Sequence, residues 1–154
     1  MAKTPSLETT GIQKKNACVV LIKTEWNAAI VDQLESSCLA ELEHLHVKKV
    51  RTITVPGAIE IPFGILEYWE HAGKKKRPDA FIALGCVIKG DTPHFDYVCQ
   101  SVTNGILQLN LSLPVPVIFG ILTVNNEEQA LQRIDKGKEA AITALKMITL
   151  KDNF

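Results

Sequence analysis

An α/β fold, with a four-stranded parallel sheet between two helical layers, is predicted for this chain by three observations. Short apolar runs and longer helical stripes alternate four times along 154 residues. The runs are nearly continuous in Val, Ile, Leu and Ala, as strands covered on both faces require. The length is that of a single domain able to bury one good core. Residues 1–15 are polar, carry Pro5 and Gly11, and are expected to form an arm; residues 16–154 are expected to form the domain.

Strand one is read at Ala17-Cys-Val-Val-Leu-Ile22, which is short and rich in branched residues. Asn27 to His44 repeats apolar residues at Val31, Leu34, Cys38, Leu42 and Leu45, a helical stripe. Val50 to Val55 alternates more weakly and reads as strand two. Pro56-Gly57 breaks it. Ala58 to Ala72 follows as a helix with a stripe of Ile59, Phe63, Leu66 and Trp69, its regular part starting near Ile61 because Pro62 would remove an early hydrogen bond. Ala80 to Ile88 is strand three. Pro93 to Leu111 is a long helix with Phe95, Val98, Val102, Ile106 and Leu109 inward. Val115 to Leu122 is strand four. Asn125 or Asn126 can cap a short helix, and Glu139 to Thr149 is the last, with Ile142, Leu145 and Ile148 buried.

Charge narrows the partners. The chain holds 17 basic and 17 acidic residues, so no global field draws it to nucleic acid or to an anionic membrane. The one basic run, Lys74-Lys-Lys-Arg77, falls between a helix and a strand and is read as a solvated loop. Four cysteines at wide spacing, without a C-x-x-C pair, point to reduced thiols in a cytoplasmic protein. No apolar run approaches a membrane span, and residues 1–15 lack the apolar centre of a leader.

In parallel α/β sheets ligands bind beyond the carboxyl ends of the strands, near the switch in strand order. Four groups of residues fall there: Thr24-Glu-Trp-Asn27, Pro56-Gly-Ala-Ile-Glu60, Gly90-Asp-Thr-Pro-His94, and Phe119-Gly120 on strand four, with Arg133 on the short helix after it. Each has a plain structural reading. Trp26 could cover the core edge, Glu60 could favour a helix dipole, Arg133 could be exposed and idle, and Thr92-Pro93 could be an ordinary helix start with threonine as cap. His94 is harder to dismiss. A strand running through a glycine turn into a helix presents free N–H groups, a seat for an anion, and here it adds a hydroxyl and an imidazole that the dipole helps keep neutral. His44, His46 and His71 read as surface residues. No spacing suits a metal, so no metal site is expected, and there is neither a P-loop lysine motif nor a dinucleotide glycine fingerprint.

Together the blocks Pro56-Gly-Ala-Ile-Glu-Ile-Pro62, Leu84-Gly-Cys-Val-Ile-Lys-Gly90, Thr92 with His94-Phe-Asp-Tyr-Val98, Pro116-Val-Ile-Phe-Gly-Ile-Leu-Thr123 and Glu128-Gln-Ala-Leu-Gln-Arg133 resemble the 6,7-dimethyl-8-ribityllumazine synthase family, in its order and spacing. The resemblance implies a flavodoxin-like three-layer α/β/α sandwich. It also implies condensation of 5-amino-6-(D-ribitylamino)uracil with 3,4-dihydroxy-2-butanone 4-phosphate, the penultimate step of riboflavin synthesis, without a cofactor or metal.

Carried over by motif, Trp26 would stack on the pyrimidine in a slot the family usually fills with phenylalanine. Ala58 and Ile59 would offer backbone groups, Glu60 would take the ribityl hydroxyls, Cys86, Val87 and Ile88 would run beside the ring, and Phe119 would help close the pocket. Gly90, Asp91 and Thr92 would receive the phosphate, clamped by Arg133 across a subunit boundary. His94 would be the general acid and base, with Asn27, Lys136, Lys138 and Glu139 as candidate supports. The family assembles as pentamers or sixty-subunit shells, with riboflavin synthase as a further expected partner. Three departures are visible: Asp91 replaces a small neutral residue, Pro93 stands where a second threonine is frequent, and the stretch from Arg133 to Glu139 is short. The rival reading is a flavin- or lumazine-binding or shell-forming relative without turnover. Thr92, His94 and Arg133 together argue against it, since holding a ring needs neither a phosphate seat nor a proton shuttle.

Overall fold

The computed structural model describes residue 11 and residues 16–154, so the expected arm lies outside the described residues except for Gly11. The elements run β1 (Cys18–Thr24), α1 (Ala28–His44), β2 (Lys49–Val55), a 3₁₀ turn (Ala58–Glu60), α2 (Ile61–His71), a second 3₁₀ turn (Lys74–Lys76), β3 (Ala80–Ile88), α3 (His94–Ser112), β4 (Val117–Val124), α4 (Glu127–Leu131) and α5 (Lys136–Asp152). The strands form one parallel sheet in the order β2-β1-β3-β4, with Ile22 level with Ile53 on one side and Ala83 on the other.

Period-2 alternation sorts the side chains into two cores. Val19, Leu21, Ile82 and Leu84 face α1 and α5, where Cys38, Leu42, Ala141 and Leu145 meet them. Val20, Ile22, Phe81 and Ala83 face α2 and α3, where Ile61, Ile65, Val102 and Ile106 meet them. The sandwich is therefore three-layered, as expected. The chain turns opposite ways out of β1, to β2 on one side and β3 on the other, which opens a crevice beyond the carboxyl ends of β1 and β3.

Four details differ from the sequence reading. Of the predicted stripe of Ile59, Phe63, Leu66 and Trp69, only Trp69 faces the core: Phe63 is 69% exposed, and Leu66 on α2 and Ile59 in the preceding turn are exposed too. The inward residues are Ile61 and Ile65, continued by Tyr68 and Trp69, whose rings meet the buried Phe81 edge-on at 5.9 and 6.3 Å. The 3₁₀ turn before Ile61 sets that rotation, and Pro62 falls in the first helical turn, where its missing N–H costs little.

β4 starts at Val117, two residues late, because Pro116 has no N–H; Asn110 of α3 takes over the pairing, accepting from Val117 N and donating to Val117 O, both at 2.8 Å. α3 starts at His94 rather than Pro93. The Thr92 hydroxyl accepts weakly from His94 N at 3.4 Å, so the helix has no strong side-chain cap.

α5 begins three residues early, at Lys136, because tertiary contacts hold its first turn. Ser37 of α1 accepts the Lys138 N–H at 3.1 Å, and Gly137 is pressed on Leu34: a Cβ there would stand 2.1 Å from the Leu34 carbonyl oxygen. The helices cross closely only because that position has no side chain. Lys136 and Lys138 consequently sit in the first turn of the helix, ahead of Glu139, rather than in a loop.

Candidate active site

The loop after β1 is zipped onto the end of β2. Glu25 N donates to Val55 O and Trp26 N to Pro56 O, at 2.8 and 3.1 Å, while the buried Thr24 hydroxyl donates to Trp26 O at 3.2 Å. Asn27 follows in the left-handed region (φ 60°), a conformation asparagine tolerates. Its side-chain amide reaches across the crevice to donate to Cys86 O at 2.8 Å. One asparagine thus ties the β1 loop to the carboxyl end of β3.

These restraints leave the Trp26 indole 66% exposed yet fixed on one side. Its ring lies on Gly57, where a Cβ would come within 2.5 Å of Cε3. Gly57 is extended (φ −142°, ψ 179°), so glycine is needed for the close approach and not for the backbone angle. The same Gly57 N–H donates to Glu60 Oε2 at 3.0 Å, aiming the carboxylate beside the indole. An apolar ring platform and a pre-oriented acceptor stand next to each other, a fit for a flat heterocycle bearing hydroxyl groups. Ala58 is buried beneath, and Ile59 is exposed at the edge.

β3 supplies the floor. Cys86 is buried, and burial together with the Glu127 carboxylate pushes its thiol up to about 11, so at neutral pH it is an apolar wall and not a nucleophile. Val87 and Ile88 are half-buried, and Lys89 N donates to Val124 O at 2.9 Å, pinning the chain where it leaves the sheet. Gly90, Asp91, Thr92, Pro93 and His94 then lie exposed at the mouth of α3. Space around Gly90 is open. The His94 ring nitrogens have no hydrogen-bond partner among the described residues, which leaves both available to a ligand. Asp91 is exposed to water and makes no ion pair among the described residues.

Several predicted residues do not join this cluster within one chain. Phe119 pairs in register with Ala83, five residues short of the Val124–Ile88 pair at the rim, roughly 17 Å down the strand. It packs on the α2/α3 core, so its place at the rim is corrected. Arg133 folds back on α4, its Nη1 donating to Gln129 O at 2.8 Å. Glu139 belongs to α5, on the opposite face of the sheet from α3 and His94. Sequence reasoning placed Thr24 at the rim without a role, and passed over Ser37 and Gly137, which hold the α4–α5 segment. Only the glycine carried a signal, being a poor helix former inside a helix.

Residues 16–152 match the family model for 6,7-dimethyl-8-ribityllumazine synthase. The chain belongs to this family. A protein of that name from Bacteroides fragilis is 44% identical over 135 residues, covering 83% of this chain and 92% of the relative. Its counterparts from Parabacteroides distasonis and Methylibium petroleiphilum are 42% and 39% identical, covering 83% and 90% of this chain and 82% and 86% of theirs. The match spans both the Trp26–Glu60 cluster and the Gly90–His94 turn, so these belong to the region shared with the lumazine synthases.

Proposed function

We propose that this chain is a transferase that makes 6,7-dimethyl-8-ribityllumazine from 5-amino-6-(D-ribitylamino)uracil and 3,4-dihydroxy-2-butanone 4-phosphate, with release of phosphate and water. The observation that carries the reading is the Trp26 indole laid on Gly57 beside a carboxylate that Gly57 itself orients. The pyrimidine stacks on Trp26 and runs along Cys86, Val87 and Ile88; Ala58 and Ile59 offer backbone groups, and Glu60 accepts from the ribityl hydroxyls. The phosphate rests on Gly90, Asp91 and Thr92 at the start of α3, where N–H groups and the dipole favour an anion.

Imine formation moves protons between the amine and the carbinol oxygen near neutrality, which His94 serves as acid and base for a gain of ~10²–10⁴. Elimination of phosphate asks for a cationic fork, which Arg133 provides. Holding both substrates together supplies much of the remaining acceleration.

The cluster in one chain lacks Phe119 and Arg133, which supports a site completed by a neighbouring subunit of a homo-oligomer, a pentamer or a sixty-subunit shell. Exposed Ile59 in the 3₁₀ turn, Phe63 and Leu66 on α2, and Leu107 and Leu111 on α3 give such an assembly apolar surface to bury. Lys136, Lys138 and Glu139 support the neighbour's site from the start of α5, and riboflavin synthase is the protein that takes the product. A cytoplasmic place suits such a protein; no helix among the described residues is long and apolar enough to cross a membrane.

Mixing the two substrates with the protein and following lumazine absorbance tests the reading. Turnover is expected. A protein that binds the pyrimidine but forms no lumazine is the non-catalytic relative instead.

A further inference from the structure

We propose a second anion site, distant from the rim, that takes the phosphate chain of a small polyphosphate. It is a depression of about 580 Å³ where β2, the end of α2 and the following 3₁₀ turn meet, lined by Arg51, Tyr68, His71 and Lys74, Lys75, Lys76. No carboxylate lines it, although Glu67 and Glu70 stand on the same last turn of α2.

The three ammonium groups have no hydrogen-bond partner among the described residues. Lysines after a helix ordinarily serve its free carbonyls, but here other groups hold two of them and a third carbonyl one turn earlier. His71 Nδ1 donates to Glu67 O at 2.9 Å, Ala72 N to Tyr68 O at 2.8 Å, and Arg77 Nε to Trp69 O at 3.2 Å. The Glu67 carboxylate is engaged by His71 at 3.2 Å. Lys74, Lys75 and Lys76 form no ion pair among the described residues.

The turn that bears them is held in place. Lys76 N donates to Gly73 O at 2.7 Å, Tyr68 Oη approaches Lys76 O at 3.4 Å, and the Arg77 guanidinium lies 4.4 Å from the Trp69 ring centre. From β2, Arg51 reaches over the Tyr68 ring at 5.5 Å, adding a fourth cation twenty-three residues away in sequence. That stacking sets the Arg51 guanidinium beside the hollow. Four cations without a lining acid, in a chain of zero net charge, match several linked phosphates better than one. The sequence reading of a plain solvated loop misses the concavity and Arg51.

Calorimetric titration of the full-length protein with sodium tripolyphosphate, and in parallel with ATP, at low ionic strength, tests the site. Tripolyphosphate is expected to bind, and the triple variant Lys74→Gln, Lys75→Gln, Lys76→Gln to bind it about tenfold or more weakly. Lumazine turnover and the circular dichroism of that variant should be unchanged. Arg133→Gln, which removes the proposed phosphate clamp at the rim, should leave the affinity intact. ATP binding tighter than tripolyphosphate assigns a nucleotide as the natural source; equal or weaker binding assigns free polyphosphate. Absence of binding, equal affinity in the folded lysine variant, or loss on Arg133→Gln overturns the proposal, and the last result leaves the rim reading standing.

Discussion

Replacing Gly57 with alanine should push Trp26 off its seat. The added Cβ would lie 2.5 and 2.6 Å from two atoms of the indole and 3.1 Å from Glu60 Oε2, well inside contact distance. Something must give, and the exposed indole is freer to move than the hydrogen-bonded backbone around it. The backbone at Gly57 is already extended, so alanine brings no conformational strain there and slightly restricts the unfolded chain. The cost therefore falls on binding and not on folding. Loss of an aromatic stack, about 0.5–1.5 kcal/mol beyond its area, raises the KM for the pyrimidine substrate roughly two- to tenfold.

A double-mutant cycle isolates the effect. With Trp26→Ala in place there is no ring to displace, so Gly57→Ala should add almost nothing to KM and leave the urea midpoint unchanged or raised. Tryptophan fluorescence offers a second readout: the shift on Gly57→Ala should vanish in the Trp26→Ala background, where only the half-buried Trp69 remains. An equal KM penalty in both backgrounds would refute the reasoning, because the glycine would then act on something other than the indole.

Four further outcomes follow from the same geometry. His94→Ala should lower kcat by ~10²–10³ while sparing pyrimidine affinity measured by equilibrium binding; equal loss of both means its role is misassigned. Arg133→Ala should raise the KM for the phosphorylated substrate about tenfold or more with little change for the pyrimidine, and an unaltered saturation curve contradicts the clamp. Gly137→Ala drives a Cβ to 2.1 Å from the Leu34 carbonyl oxygen, so α5 must back away from α1, at about 1–3 kcal/mol in urea unfolding. Burial, aided by the Glu35 carboxylate, pushes the Cys38 thiol from 9.0 up to about 12. Between those values the unfolded chain has lost the proton and the native chain keeps it, so this contribution is whole below about pH 9 and fades as pH rises toward 12. Cys38→Ala should flatten the fall in urea midpoint between about pH 8 and 10.5; identical slopes would show that the thiol stays accessible to water.

Local chemistry made much of the architecture legible. The strands are recognisable because residues covered on both faces must be apolar at every position, and the helices α1, α3 and α5 because their stripes repeat at helical spacing. Asn126 could be seen as one of two caps for α4, and it does accept from Gln129 N at 2.9 Å. The sites grouped at strand ends followed from sheet topology, since a parallel sheet sends every βα loop to the same rim.

Apolar patterning failed on α2 for a physical reason. Its sequence offers two candidate stripes, and the choice between them depends on the 3₁₀ turn at Ala58–Glu60 and on Phe81 from a strand not yet paired when the sequence is read. Register is likewise long-range: nothing near Phe119 in sequence says that it pairs with Ala83 and not with the rim.

By itself the sequence determined the alternation of strands and helices, the loops that gather at one rim, and the residue types able to seat an anion beside an imidazole. Those are properties of neighbours along the chain: side-chain period, turn chemistry and helix starts. Only the tertiary structure decided that Trp26 lies on Gly57, that Asn27 clasps Cys86 O across the crevice, that α5 begins at Lys136, and that Arg51 joins three lysines in a hollow. Each of these depends on the distance between segments far apart in sequence, which packing sets and local propensity does not.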